Sequence, residues 1–213
     1  MPSSPADPGD RSEDHYFSAE PASPADRRTL EVRLAGRDVS VQSAAGVFSA
    51  GRVDLGTQVL LRSVPEPPPT GDLLDLGCGW GPVALTFALE SPQARVWAVD
   101  VNRRALDLVT RTAHDLGLST ITACEPTGVP ADVRFEAIWS NPPIRIGKDA
   151  LHELLATWLP RLTPTGAAHL VVQRNLGADS LQQWIVTTLG LPTERVASAK
   201  GFRVLRVTLP HQR

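Results

Sequence analysis

The chain has 213 residues, 42% of them hydrophobic, with two cysteines and a formal net charge of −2. That length carries one core of good size with at most a short appendage. No apolar run approaches the roughly 20 residues that cross a bilayer, and the start MPSSPADPGDRSED has neither a basic end nor an apolar stretch, so a soluble, cytoplasmic protein is expected. Cys78 and Cys124 have no close partner and no histidine at ligand spacing, which argues against a disulfide framework and against a metal site.

Residues 1–26 carry six acids (Asp7, Asp10, Glu13, Asp14, Glu20 and Asp26) against Arg11, so the overall acidity sits in this segment and the remaining body is mildly basic. Rich in Pro, Ser, Asp and Ala, the segment is expected to be a disordered acidic leader to one domain over residues 27–213. From Arg28 onward, Leu30, Val32 and Leu34 alternate, a turn follows at Ala35–Asp38, and Val39 and Val41 alternate again, which predicts a β-hairpin. A short helix is predicted from about Gly56 to Val64, ended by the prolines of 65–69.

Strands and helices then alternate. Strands are predicted at Leu73–Leu76, Val96–Val99, Ile121–Cys124, Ala137–Trp139 and Leu170–Val172, and helices from Pro82, from Arg103 to Leu116 and from about Asp149. A further helix at Leu181–Leu189 and closing strands near Arg195–Ala197 and Phe202–Leu209 complete the set. In the helix from Asp149, residues Leu151, Leu154, Leu155, Trp158 and Leu159 recur at one-face spacing. The alternation predicts a doubly wound α/β sheet with helices on both faces.

The run Leu73-Leu74-Asp75-Leu76-Gly77-Cys78-Gly79-Trp80-Gly81-Pro82 passes from a strand through a glycine loop into a helix, and ligands of such sheets bind at these carboxyl ends. A dinucleotide fingerprint reads G-x-G-x-x-G; here the glycines fall as G-x-G-x-G, which disfavours nicotinamide cofactors. Asp75 would repel a pyrophosphate but can hold the ammonium of a methionine moiety. Asp100, ending the next strand with Val101 and Asn102 beside it, can accept hydrogen bonds from both ribose hydroxyls of a nucleoside. Together these residues predict S-adenosylmethionine as the cofactor, with Gly77, Cys78 and Gly79 against it.

The second candidate site is Ser140-Asn141-Pro142-Pro143-Ile144-Arg145-Ile146-Gly147-Lys148. In the expected strand order its strand lies next to the first, so the loop faces the methyl donor. An exocyclic amine has its lone pair delocalised into the ring, so a site must rotate that nitrogen and aim it at the methyl. The Asn141 side-chain oxygen and the Pro142 carbonyl can each accept one N–H, and Pro142 and Pro143 stiffen the backbone that carries them. Asn-Pro-Pro alone favours a plain turn, and its coupling to the glycine loop is what shifts the reading towards a site. Ile144 would pack on a flipped base. Arg145 and Lys148, before or inside the first turn of a helix, oppose its dipole, which suggests a phosphate partner and hence RNA. Lys200 and Arg203 read as solvated surface charges. Trp80, Trp97, Trp139 and Trp158 read as core or cofactor-edge residues, and the five histidines form no cluster.

The pairing of DLGCGWGP with SNPPIRIGK, preceded by Phe48-Ser49 and Asp54-Leu55-Gly56-Thr57, resembles the class I methyltransferases of the ribosomal RNA guanine-N2 family over roughly residues 45–206. The resemblance implies a seven-stranded, mostly parallel Rossmann-like sheet, RNA as partner and guanine N2 as the acceptor; from composition and spacing neither membrane nor metal is expected, and a monomer is favoured without the sequence fixing the oligomeric state. It also implies that Phe48, Asp54 and Thr57 lie over the cofactor, and that the hairpin belongs to the methyltransferase domain. Larger members carry a second, degenerate domain that 213 residues leave no room for; relatives often place an acid near Glu125. The alternatives are an N-methyltransferase of a protein side-chain amide or small molecule, and a noncatalytic binding module.

Overall fold

A computed structural model describes residues 27–143 and 146–210. The expected leader, residues 1–26, lies outside them. The hairpin is longer than the alternation alone indicated: β1 (Arg27–Leu34) pairs antiparallel with β2 (Arg37–Ala44) through a turn in which Ala35 and Gly36 both take positive φ.

The other seven strands form one sheet. They are β3 (Asp72–Leu76), β4 (Arg95–Val99), β5 (Ile121–Cys124), β6 (Phe135–Ser140), β7 (Leu162–Gln173), β8 (Thr193–Ala199) and β9 (Phe202–Thr208). The order is β5-β4-β3-β6-β7-β9-β8, parallel from β5 to β7 and antiparallel at β7–β9 and β9–β8. The expected seven-stranded doubly wound sheet is therefore present. The order reverses between β3 and β6, so the glycine loop and the Asn-Pro-Pro loop leave the sheet side by side. Ser140 strengthens this junction, its buried hydroxyl donating to the Leu76 carbonyl at 2.6 Å.

Helices cover both faces. On one face α1 (Leu55–Ser63), α2 (Pro82–Glu90) and α3 (Arg103–Asp115) bury Leu60, Phe87 and Val109 against Leu73, Val96 and Trp139. On the other, α4 (Lys148–Trp158) and α5 (Ala178–Trp184, continued by a π-turn over Ile185–Leu189) bury Leu155, Trp158 and Leu181 against Leu74, Ile138 and Leu170. The hairpin then covers the outside of α2 and α3, where Val41 and Val47 meet Trp80, Leu85 and Leu108. This explains why α2 is apolar all round: every residue from Pro82 to Ala88 is buried, between sheet and hairpin.

Two elements depart from expectation. β7 starts eight residues before Leu170, because Thr163-Pro164-Thr165-Gly166, to which the sequence assigns no element, forms an irregular stretch where the register against β6 shifts. A side chain at Gly166 would come 2.5 Å from the Phe135 carbonyl, so the backbones approach there as only glycine allows. α5 starts at Ala178 rather than Leu181. Among the described residues, no helix is long and apolar enough to cross a membrane.

Candidate active site

The glycine loop hangs on the end of β4. The N–H groups of Gly77 and Cys78 both donate to the Val99 carbonyl, at 2.8 and 3.0 Å. Gly79 (φ +54) donates its N–H to Asp100 Oδ2 at 2.9 Å, and a Cβ at Gly79 would meet no atom within 4 Å, so bare backbone faces open space. At Gly81 (φ +91) a Cβ would lie 2.8 Å from Val109, which lets the loop close onto α3 before Pro82 takes the first helical position.

Two carboxyls flank this loop. Asp75 is 2% exposed, and its side chain accepts the Ala84 N–H at 2.9 Å, in the first turn of α2. Burial pushes its pKa up to about 8; the Ala84 N–H acts in the opposite sense, and the nearby Asp100 charge adds to the rise. Burial, with Asp100 and Asp75 beside it, also raises the Cys78 thiol well above its ordinary range, which leaves it inert. Asp100 accepts the Asn102 N–H on its other oxygen, at 2.9 Å. Asn102 itself serves the framework: its side chain caps α3 by accepting from Arg104 and Ala105, and it donates to the Gly46 carbonyl at 3.1 Å. Val101, on the lip after Asp100, is 64% exposed.

Across the junction, Asn141 donates its Nδ2 to Asp54 Oδ2 at 2.6 Å and to Thr57 Oγ1 at 3.1 Å. Asp54 is the N-cap of α1 and also accepts the Thr57 N–H, at 3.0 Å. Pro142 is buried, and Pro143 lies over the glycine loop, 3.6 Å from a Cβ built on Gly77. A narrow cleft opens between these parts, lined by Phe48, Ser49, Asp54, Thr57, Asp75, Gly77, Cys78, Gly79, Trp80, Pro82, Val83 and Asn141. The structure thus gathers Phe48, Thr57, Asp75, Gly77, Cys78, Gly79 and Asn141 around one cavity, while Asp100 touches it through Gly79. Trp80, read from the sequence as a core or cofactor-edge residue, lines the cleft as well, together with Ser49 and Val83, to which the sequence assigns no role.

Ile144 and Arg145 lie outside the described residues. Lys148 is the first residue of α4 and is exposed. Lys200 is exposed at the β8–β9 turn, as expected, but Arg203 is not a solvated charge: its side chain is only 14% exposed and pairs with Asp179 of α5. The β7–β9 register places it opposite Val172, so its stem packs while its head finds a carboxylate. Glu125 is engaged by Arg103 through Nε and Nη2 at 3.1 and 3.2 Å. Trp80, Trp139 and Trp158 are buried, and Trp97 is half-buried and donates to Asp72.

An uncharacterized Bacillus subtilis protein, YbxB, is 33% identical over 170 residues, covering 78% of this chain and 85% of that protein. Ribosomal RNA small subunit methyltransferase C of Mannheimia succiniciproducens is 36% identical over 138 residues, 63% of this chain and 41% of that protein. The enzyme of the same name from Pseudomonas entomophila is 33% identical over 201 residues, 92% of this chain and 58% of that protein. The chain thus spans about half the length of these two named relatives. Among solved structures, the 16S rRNA N2 G1207 methyltransferase of T. thermophilus, in complex with AdoMet and guanosine, superposes with a TM-score of 0.71 at 24% identity, over 89% of this chain and 52% of that one. The precorrin-6y C5,15-methyltransferase of Geobacter metallireducens gives 0.57 at 13% identity, over 79% and 93%. The likeness to both is one of fold. Residues 38–206, most of the chain and nearly all of the described body, match the methyltransferase small domain, and the chain belongs to that family.

Proposed function

We propose that this chain is a soluble cytoplasmic enzyme that methylates the exocyclic N2 amine of a guanine in ribosomal RNA, using S-adenosylmethionine. The observation that carries the reading is the Asn141 amide. Both of its N–H groups are taken up by Asp54 and Thr57, and among the described residues its Oδ1 has no partner at the wall of the cleft.

The residues present fit the donor. Asp75 supplies a buried carboxyl for an ammonium, Asp100 keeps lone pairs free for ribose hydroxyls, and the bare backbone at Gly79 admits a close ligand. Phe48 and Thr57 stand on the cleft wall, and Val101 on its lip. When bound, the donor supplies a sulfonium methyl that needs only an aligned lone pair to accept it. The chain's own task is then positioning: Asn141 Oδ1 and the Pro142 carbonyl each accept one N–H of the amine, and Ile144 packs on the flipped base. No strong base is required before transfer.

RNA as substrate is supported by the rim of the site. Lys148 after β6, Arg174 after β7 and Lys200 before β9 are all exposed at the carboxyl edge, and the Arg174 N–H ties its segment to the Gly201 carbonyl at 2.8 Å. Arg145 falls in the same loop as the Asn-Pro-Pro triplet. Cations so placed hold phosphates on either side of an extruded base. Ribosomal RNA as the substrate is supported by the curated relatives named ribosomal RNA small subunit methyltransferase C, and guanine N2 by the neighbour solved with guanosine.

The test is methyl transfer to an unmodified small-subunit ribosomal RNA transcript and to reconstituted subunits, read as N2-methylguanosine by mass spectrometry of the nucleosides. Asn141→Ala should bind S-adenosylmethionine normally and form no product. Charge reversal at Lys148, Arg174 and Lys200 should weaken RNA binding and flatten its salt dependence. Methylation of protein in a cell extract with none of RNA would overturn the substrate.

A further inference from the structure

We propose that Asp54 and Thr57 are positioning residues for methyl transfer, which hold the Asn141 amide so that its carbonyl and not its NH2 meets the acceptor amine. The proposal rests on the role given to Asn141 above. It assigns the first turn of α1 to the acceptor side of the reaction, where the resemblance had implied only a place over the cofactor.

The two ends of an asparagine amide are nearly equal in size and opposite in hydrogen bonding. Turned one way, Asn141 offers an acceptor to an incoming N–H. Turned the other way, it offers donors to a donor and pushes the amine out of line. Local backbone does not decide between the two; the groups around the amide do. A carboxylate has only acceptors to offer, and Asp54 Oδ2 stands 2.6 Å from Asn141. With the amide turned, two oxygens would oppose each other at that distance. Thr57 Oγ1, at 3.1 Å, accepts the second N–H. The NH2 group is thereby spent.

Asp54 is fixed in turn. Its Oδ2 accepts the Thr57 N–H and its carbonyl accepts the Gln58 N–H at 2.8 Å, so the α1 cap and the amide share one carboxylate. Helix α1 is seated by Val59 and Leu60, both buried in the core. Gly56 leaves room for the arrangement: a Cβ there would lie 3.0 Å from Asp54 Oδ2 and 3.3 Å from Asn141 Nδ2. The acceptor is therefore oriented before substrate arrives and costs little reorganisation during transfer.

The proposal is tested with the full chain by measuring kcat and KM on the ribosomal RNA transcript, the calorimetric Kd for S-adenosylmethionine, and Tm. Asp54→Ser keeps a capping oxygen but is too short to reach Asn141; it should lower kcat by about tenfold or more while Kd stays within about twofold and Tm is retained. Thr57→Val should act in the same direction with a smaller loss. Asn141→Asp sets two carboxylates against each other and should lose activity. Asp54→Ser, which lowers kcat beside Asn141, removes the facing carboxylate and should instead raise kcat by at least about tenfold when combined with Asn141→Asp, a reversal of sign that a purely structural cap does not produce. Wild-type kcat in Asp54→Ser, or a double variant no better than Asn141→Asp, overturns the proposal. If Asn141→Ala remains active, it is the reading of Asn141 itself that fails.

Discussion

The N–H of Gly79 donates to Asp100 Oδ2 at 2.9 Å, which makes the loop after β3 and the acid at the end of β4 one unit. The Asn102 N–H holds the other oxygen at the same distance, so the carboxylate is oriented at both ends. Each oxygen keeps a free lone pair for a hydroxyl. Asp100→Ala removes two acceptors and loosens the loop; with charged hydrogen bonds contributing about 1.5–3 kcal/mol each, S-adenosylmethionine affinity should fall by roughly 100-fold or more in calorimetry. Unchanged affinity would contradict the assignment.

Asp75 makes two pH-dependent outcomes. Its ordinary pKa is 3.8 and burial raises it to about 8 in the folded chain, so folding takes up a proton. The stability linked to it is complete below 3.8 and is lost as pH rises towards 8. Asp75→Asn cannot ionise, and at pH 7 the ligand-free variant should be more stable than wild type by on the order of 1 kcal/mol or more. Binding of an ammonium needs the carboxylate form, so wild-type affinity for the donor should rise from pH 6 to 8 while the variant binds weakly throughout. A Tm for Asp75→Asn below that of wild type at pH 7 would count against this account.

His169 should govern stability on the acid side. It is 3% exposed, lies edge-on to Trp139 with ring centroids 6.5 Å apart, and among the described residues its Nδ1 has no hydrogen-bond partner. Burial lowers its pKa from 6.5 to about 4, helped by Arg206 across the strand pair and opposed by Glu194. The folded state disfavours the proton, so this stability is complete above 6.5 and is lost as pH falls to 4, up to roughly 3 kcal/mol in all. His169→Phe should remove that part of the pH dependence in urea unfolding between pH 4 and 6.5; curves that stay parallel to wild type would refute it.

Gly56 separates activity from stability. Alanine in a helix is ordinarily favoured over glycine by about 1 kcal/mol. Here the added methyl would stand 2.9 Å from Phe202 Cε1, and close to Asp54 and Asn141. Phe202 can swing aside, whereas the paired side chains cannot without breaking their hydrogen bond. Gly56→Ala should therefore keep its Tm within a few degrees and lose most turnover; a fully active variant would show that the first turn of α1 tolerates displacement.

Much of this site was legible in the chain before any fold was considered. Asp75, the glycine loop and Asp100 fall within 26 residues, and strand alternation alone puts them at one sheet edge. The Asn-Pro-Pro loop declared itself by following a short apolar strand. Less legible was the start of β7: no strand was expected over Thr163–Gly166, yet the segment belongs to β7, because tertiary pairing outweighs local preference where two backbones meet. Arg203 read as a surface charge, since nothing in its neighbours announces Asp179 on another element.

By itself, then, the sequence determined the alternation of elements, the ligand class suited to the glycine spacing, and the two loops that border the proposed site, because periodicity and loop chemistry act over a few residues. The tertiary structure alone decided which way Asn141 points. Asp54 and Thr57 lie 87 and 84 residues away in the chain, and they reach the amide only because β3 and β6 are neighbours and α1 is seated against the same face of the sheet. A side chain's identity is local, but its orientation is set by whichever partners the packed sheet brings within hydrogen-bonding distance.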